Sequence, residues 1–567
     1  MPRPLPPIRL AVRLLAACLL STLSLPGCSR QPTPSVSPAP GPPQASAAAA
    51  RIAADVRALS DARMQGRLTG SAGYDRAAQY VADRFRALGL QPAGDEETYF
   101  QRVPLLASTR VADGARLVVV RRDRDISLRV RDQFLPMPGF ARATAAVRAP
   151  AVFVGQGVEA PDLGHDDFAG LDLHGRIAVL FGGAPARFDA DRRAFHASMR
   201  EKLRTLAAHG AIGAVFVDTP AQEAAAPWTQ SAAAFDRPDM RLRAGDGHAL
   251  DDEPQLQVVA RVSFAAADLV FDGSGHTAAE LAQAVEQERQ RGFALPVTLD
   301  LAARSHIASL DGRNVLGRLP GRDPALASQQ LLYSAHLDHL GVAAQGGDHV
   351  FHGALDNALG VAIVLEAART QQAPRRPLLF AALTGEEQGL LGAQWLALHP
   401  PGAPTARLVA DINLDMPMLL APSRDAIAIG GAHSDLGTAA QHAGDALGVP
   451  LSPDPFPEEA VFVRSDQYAF VRAGVPALML DGGVVPAASS AGKQADATTM
   501  PLLAQRVFLR DCYHRPCDDA RQPIQYEDAA RLARFATRLG VEVGDAPAPP
   551  QWKGGDFFGA RFGHSAH

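Results

Sequence analysis

The chain has 567 residues, of which 47% are hydrophobic and 20% charged, a balance that fits a globular protein with more than one domain and excludes a disordered one. A net charge of −5 without a long basic run gives no support to nucleic-acid binding. Beyond the N-terminal leader, no stretch is apolar and long enough to span a bilayer.

In residues 1–28, Arg3, Arg9 and Arg13 precede an apolar segment, 14–25, and then Leu25-Pro26-Gly27-Cys28. A positive start, a short apolar stretch and small residues before the cut describe an export signal and not a structural helix. Leu-x-Gly-Cys resembles the bacterial lipoprotein signal, which implies that Cys28 becomes the lipidated first residue and anchors the chain to a membrane. Ser29, where Asp would retain such a protein at the inner membrane, favours the outer membrane by the same resemblance. Residues 29–50 are mainly Pro, Ala, Ser and Gln, the composition of a flexible tether.

Residues 51–92 read as two helices, the second placing Ala77, Ala78, Val81, Phe85 and Leu88 on one face before Gly89 stops it. From about 145 to 295 the texture changes: strand-like runs at 151–154, 177–181, 213–217 and 257–262 surround one helix at 199–209. This segment clusters few acids with histidines, so it reads as an inserted accessory domain without chemistry of its own. From about 300, strands at 331–335, 378–383, 408–414 and 475–480 alternate with helices at 358–369, 388–398, 434–447 and 526–539. Such alternation predicts an α/β fold, a mixed and mostly parallel sheet with helices on both faces. Reactive residues then gather beyond the carboxyl ends of the strands.

The residues found there are unusual. His336-Leu337-Asp338 follows the first strand, Glu386-Glu387 the second and Asp415 the third; Asp356 opens a helix and His514 lies between Cys512 and Cys517. Adjacent carboxylates at the mouth of a buried strand are costly unless a positive partner sits beside them. Two His, two Asp and one Glu can hold two metals if one carboxylate bridges, and this mixture of donors suits zinc, with cobalt or manganese possible. After export, Cys512 and Cys517 remain, and in an oxidising compartment they favour a small disulfide loop over a zinc site that lacks a second Cys pair.

His336-x-Asp338, Asp356-Asn357, Glu386-Glu387, Asn413-Leu414-Asp415-Met416 and Tyr513-His514 resemble, in order and spacing, metallopeptidase family 28, typified by secreted bacterial leucine aminopeptidases. The resemblance spans roughly residues 300–540, and Arg63-Met64-Gln65-Gly66-Arg67 with Thr69-Gly70-Ser71 resembles the family's N-terminal segment. It implies the zinc exopeptidase fold and two Zn2+ per chain: His336 and Asp415 on one, Glu387 and His514 on the other, and Asp356 bridging. Glu386 would be the general base, and Asp338 would orient His336 through its second ring nitrogen. Gly353 and Asn357 would shape the turn around the bridge. Ser465, Asp466, Gln467 and Tyr468 resemble a substrate-pocket loop, with Gln467 where many relatives carry His. His339, His349 and His352 are expected in solvated-loop or supporting roles.

The 145–295 insert looks like a protease-associated domain, notably at His174-Gly175-Arg176 and His209-Gly210-Ala211. The expected organisation is a lipoprotein signal (1–28), a tether (29–50), the N-terminal part of the peptidase domain (51–144), the protease-associated-like insert (145–295), the catalytic domain (296–545) and a C-terminal tail (546–567). The resemblance implies a zinc-dependent exopeptidase that removes N-terminal residues from peptides. Its rivals are a carboxypeptidase- or dipeptidase-like relative, a glutaminyl cyclase and a non-catalytic binding protein. A metallo-β-lactamase pattern fails because Ser334 stands where its first His would be, and no Gly-x-Ser-x-Gly elbow is present.

Overall fold

The structure, a computed structural model, describes residues 45–289, 291–343, 349–487 and 499–563. The export signal, Cys28 and most of the expected tether lie outside the described residues. The end of that tether is helical: Ser46 caps Ala47–Leu59 by accepting the amide of Ala49, and Ile52, Val56 and Leu59 are buried. The next helix, Ala72–Ala87, is capped by Ser71 and buries Val81 and Phe85.

The catalytic sheet is built on four parallel strands, Leu378–Leu383, Gln329–His336, Arg407–Asn413 and Ala477–Gly482, in that spatial order. Antiparallel strands flank them, Phe293–Leu319 on one side and Ala426–Ile429 on the other. The run Leu378-Leu379-Phe380-Ala381-Ala382-Leu383 is buried throughout, as a parallel strand covered on both faces must be. Its alternate residues divide between two cores. Leu378, Phe380 and Ala382 meet the helices Ala47–Leu59, Ala72–Ala87, Leu359–Thr370 and Tyr526–Asp545, while Leu379, Ala381 and Leu383 meet Leu396 and Phe470. Helices therefore cover both faces, the expected α/β layering.

Phe293–Leu319 is a single strand of 27 residues shared by two sheets. Its C-terminal half pairs with Phe100–Arg110 in the catalytic sheet, and its N-terminal half with Arg116–Val120 and Thr144–Phe153 in a second sheet. That second sheet continues through the parallel strands Ile177–Phe181, Gly213–Val217 and Val258–Val262 to the short antiparallel strand Phe134–Pro136. It has its own two-sided core, with Val179 and Phe181 on one face and Ala178 and Leu180 on the other. The accessory sheet thus takes strands from well before residue 145, and it carries more helices than the single one expected, Ala190–Ala197 and Ala278–Glu286 among them. The C-terminal segment is not a loose tail: Trp552 donates its indole N–H to the carbonyl of Gly474, and Phe558 is fully buried.

A candidate two-metal site at the ends of the core strands

His336 is the last residue of its strand, Glu386 and Glu387 follow Leu378–Leu383, and Asp415 follows Arg407–Asn413. The parallel order of these strands brings all of them to one edge of the sheet. Asp356 arrives from a separate turn that opens the helix Leu359–Thr370; its peptide bond to Asn357 is cis. Gly353 begins that turn at φ 59, and a Cβ there would meet the carbonyl oxygen of Asp356 at 2.2 Å. Asn357 is fully buried and ties the turn down, donating to the carbonyl of Leu414 at 2.9 Å and accepting the amides of Gly360 and Met416 at 3.0 and 3.2 Å.

The two carboxylate oxygens of Asp356 face different partners. Its Oδ1 lies 3.2 Å from His336 Nε2, which is 2.9 Å from Asp415 Oδ1. Its Oδ2 lies 3.2 Å from His514 Nε2, which is 3.3 Å from Glu387 Oε2. Donor atoms around a tetrahedral zinc at about 2.0–2.1 Å stand roughly 3.3 Å apart, so the residues present fit an ion on each side of Asp356. His336, Asp356 and Asp415 each place one donor atom within 4.8 Å of the others, and so do His339, Asp356 and Glu387. These are two distinct metal-holding groups that share one carboxylate.

His339 takes the supporting one of the two roles expected of it. It is not a solvated loop residue but fully buried, and its Nδ1 donates to Glu387 Oε1 at 2.6 Å while its Nε2 has no hydrogen-bond partner. Glu387 is thereby left with Oε2 turned toward His514. The signal available in sequence was only its position, one residue beyond His336-Leu337-Asp338.

Asp338 also departs from expectation. Its carboxylate stands 4.0 Å from His336 Nδ1, and its main-chain oxygen is nearer, at 3.2 Å. The carboxylate instead accepts the amides of Glu386 at 3.1 Å and Glu387 at 3.4 Å, fixing the turn that presents the acidic pair. Ser465, Asp466, Gln467 and Tyr468 are all buried. Ser465 and Gln467 accept from the Asn413 amide at 2.9 and 2.6 Å, which places this loop beneath the strand leading to Asp415.

The electrostatics are those of carboxylates and histidines forced together. Burial opposes a charge on His336, but Asp415 and Glu386 outweigh it and hold its pKa well above the usual value. Burial likewise opposes the Asp356 carboxylate, yet His339, His336 and His514 hold it well below the usual range. Burial pushes Glu386 well above the ordinary carboxylate range, against the pull of His336, with Asp415 and Glu387 adding to the rise. A half-buried carboxylate with raised proton affinity, beside a metal-holding cluster, is suited to accept and pass on a proton.

Support for the site comes from far along the chain. Arg67 is fully buried and donates to the carbonyls of Leu337, Leu59, His352 and Gly353 at 2.8, 2.7, 2.7 and 2.9 Å. Thr69 Oγ1 accepts the amide of Gly385 at 2.9 Å, tying the N-terminal segment to the turn before Glu386. Asp518, which the sequence reading did not single out, accepts the amides of Leu355 and Asp356. The Cys512–Cys517 disulfide is present and encloses His514, whose backbone has a φ of 56.

Residues 314–539 match the pattern of Peptidase family M28, so over that part the chain is like the family. The chain is 52% identical over 66 residues to a "Probable zinc metalloprotease" of Pyrenophora tritici-repentis, which covers 11% of this chain and 15% of that protein. It is 30% identical over 216 residues to "Leupeptin-inactivating enzyme 1" of Streptomyces exfoliatus, covering 36% of this chain and 43% of that protein. The chain therefore spans about a seventh of the first relative and under half of the second. Among solved structures it is similar to an aminopeptidase from Aneurinibacillus sp. strain AM-1, with a TM-score of 0.49, 18% identity, and coverage of 87% of this chain and 92% of that one.

Proposed function

We propose that this chain is a zinc-dependent exopeptidase that releases N-terminal residues from peptides. The observation that carries the reading is the division of Asp356, with one oxygen toward His336 and Asp415 and the other toward His514 and Glu387. In this reading His336, Asp415 and Asp356 would hold one zinc ion, and Glu387, His514 and Asp356 the other. Zinc bound there would polarise the scissile carbonyl and lower the pKa of an attacking water. Glu386 takes the proton of that water and delivers it to the leaving amine. Asp338 sets the main-chain position of Glu386, and His339 holds Glu387 so that one oxygen stays free for ligation.

The accessory sheet is a protease-associated-like lobe in this reading, and the export signal with Cys28 makes the protein a lipoprotein of the bacterial envelope. Metal analysis, with hydrolysis of aminoacyl anilides and of peptides blocked at either end, tests the function. The expected result is two zinc ions per chain and cleavage abolished by a blocked N-terminus. One zinc per chain with cyclisation of N-terminal glutamine would replace the peptidase with a cyclase; no metal and no hydrolysis would leave a binding protein.

A further inference from the structure

A charged side chain next to the strand Asp239–Leu242, which pairs with Phe100–Arg110 in the catalytic sheet, lies on the side of the metal site. Arg237 lies between the helix Trp228–Ala233 and the strand Asp239–Leu242, and its guanidinium sits 4.9 Å from the centre of the Phe351 ring. Phe351 is buried, and its ring centre is 6.5 Å from that of His339, which donates to Glu387. The acids beside Arg237 are already engaged: Asp236 with Arg131 at 2.7 Å and Asp239 with Arg110 at 2.9 Å. Among the described residues, Arg237 itself has no carboxylate partner, and stacking on Phe351 is its one side-chain engagement. Its side chain is exposed, and the ring it lies over leads through His339 to Glu387.

An arginine placed over an aromatic ring is attracted to the ring face, and its guanidinium donors remain available to a carboxylate. We propose that Arg237 is a specificity-determining residue that binds a substrate carboxylate on the leaving side of the scissile bond. This rests on the exopeptidase reading and deepens it: the favoured substrates are short peptides whose free C-terminus, or whose acidic second side chain, reaches Arg237.

The test compares Leu-Ala, Leu-Ala-amide and Leu-Glu-amide as substrates of the zinc-loaded protein and of Arg237→Ala and Arg237→Lys, with zinc content measured for each. The protein with Arg237 is expected to prefer a carboxylate-bearing substrate over Leu-Ala-amide in kcat/KM by about 10- to 100-fold, the range of a charged hydrogen bond. Arg237→Ala should bring that ratio close to one, mainly through KM and with zinc unchanged, and Arg237→Lys should restore part of it. Preference for Leu-Ala identifies the terminal carboxylate as the recognised group; preference for Leu-Glu-amide identifies the side chain. Equal hydrolysis of all three by the protein with Arg237 overturns the inference and leaves the peptidase standing, even if neither variant folds. Loss of zinc in Arg237→Ala, with the ratio unchanged, makes the residue structural and also overturns it. Hydrolysis of none of the three overturns the exopeptidase reading itself.

Discussion

Asp518 holds Asp356 by the main chain: one carboxylate oxygen accepts the Asp356 amide at 3.0 Å and the other accepts the Leu355 amide at 2.8 Å. The carbonyl of Asp518 takes the Ala354 amide as well, at 3.1 Å. A residue just past the disulfide loop thus fixes the turn that carries the shared carboxylate. Asp518→Asn keeps the size but replaces one acceptor with a donor, facing an amide that also donates. Zinc affinity should fall about 10- to 100-fold, as for other groups that orient ligands, and competition with a chelator measures it. Unchanged affinity would remove Asp518 from the site's support.

Replacing Glu386 by Gln removes the proton acceptor and keeps the shape. Two zinc ions per chain should remain while kcat falls about 100- to 10,000-fold. Full turnover in this variant would refute the role given to Glu386.

Arg67→Met should destabilise the whole domain. The carbonyls of Leu59 at the end of its helix, of Leu337 and of the adjacent His352 and Gly353 lose a shared donor, and a buried group left unpaired costs about 1–3 kcal/mol. Denaturant unfolding should show a loss of about 3 kcal/mol or more.

Lys202 offers a test of pH dependence away from the metal site. The residue is 1% exposed, its ammonium donates to the Gln156 carbonyl at 2.6 Å, and burial pulls its pKa down to about 7, with Asp167 opposing. The unfolded chain keeps an ordinary lysine, so between pH 7 and the unfolded value it binds more protons than the fold does. Stability should therefore rise with pH across that window, by at most about 1.4 kcal/mol per pH unit, and the burial penalty is greatest below pH 7. Lys202→Met should flatten that rise and add stability at pH 6, as read from denaturant unfolding in a series of buffers. An identical slope in the variant would rule out Lys202 as its source.

The disulfide closes a loop whose Cα atoms are 5.2 Å apart, with His514 inside it. Cys512→Ser with Cys517→Ser should cost about 2 kcal/mol by the loop-entropy estimate. It should also weaken the zinc held by His514 more than the zinc held by His336. Metal content after dialysis against a weak chelator should fall toward one ion per chain; equal loss of both would separate the loop from ligand placement.

The sequence by itself pointed to the core strands, because short runs such as 378–383, apolar at every position and bounded by Pro377 and Gly385, suit a strand covered on both faces. It also determined the chemical character of the site, since carboxylates and histidines recur where those strands end. Tertiary structure decided which of them meet. For His339 the sequence left a solvated-loop and a supporting role open, because its burial depends on the segment around Phe351 and on the fixed orientation of Glu387. The reach of the accessory sheet was equally hidden, because one long strand serves two sheets and its pairing partners, 100–110, 116–120 and 144–153, lie far away in the chain. The roles of Asp338 and Asp518 followed the same rule: a carboxylate that accepts main-chain amides has no spacing signature, because its partners are chosen by the fold and not by neighbouring residues.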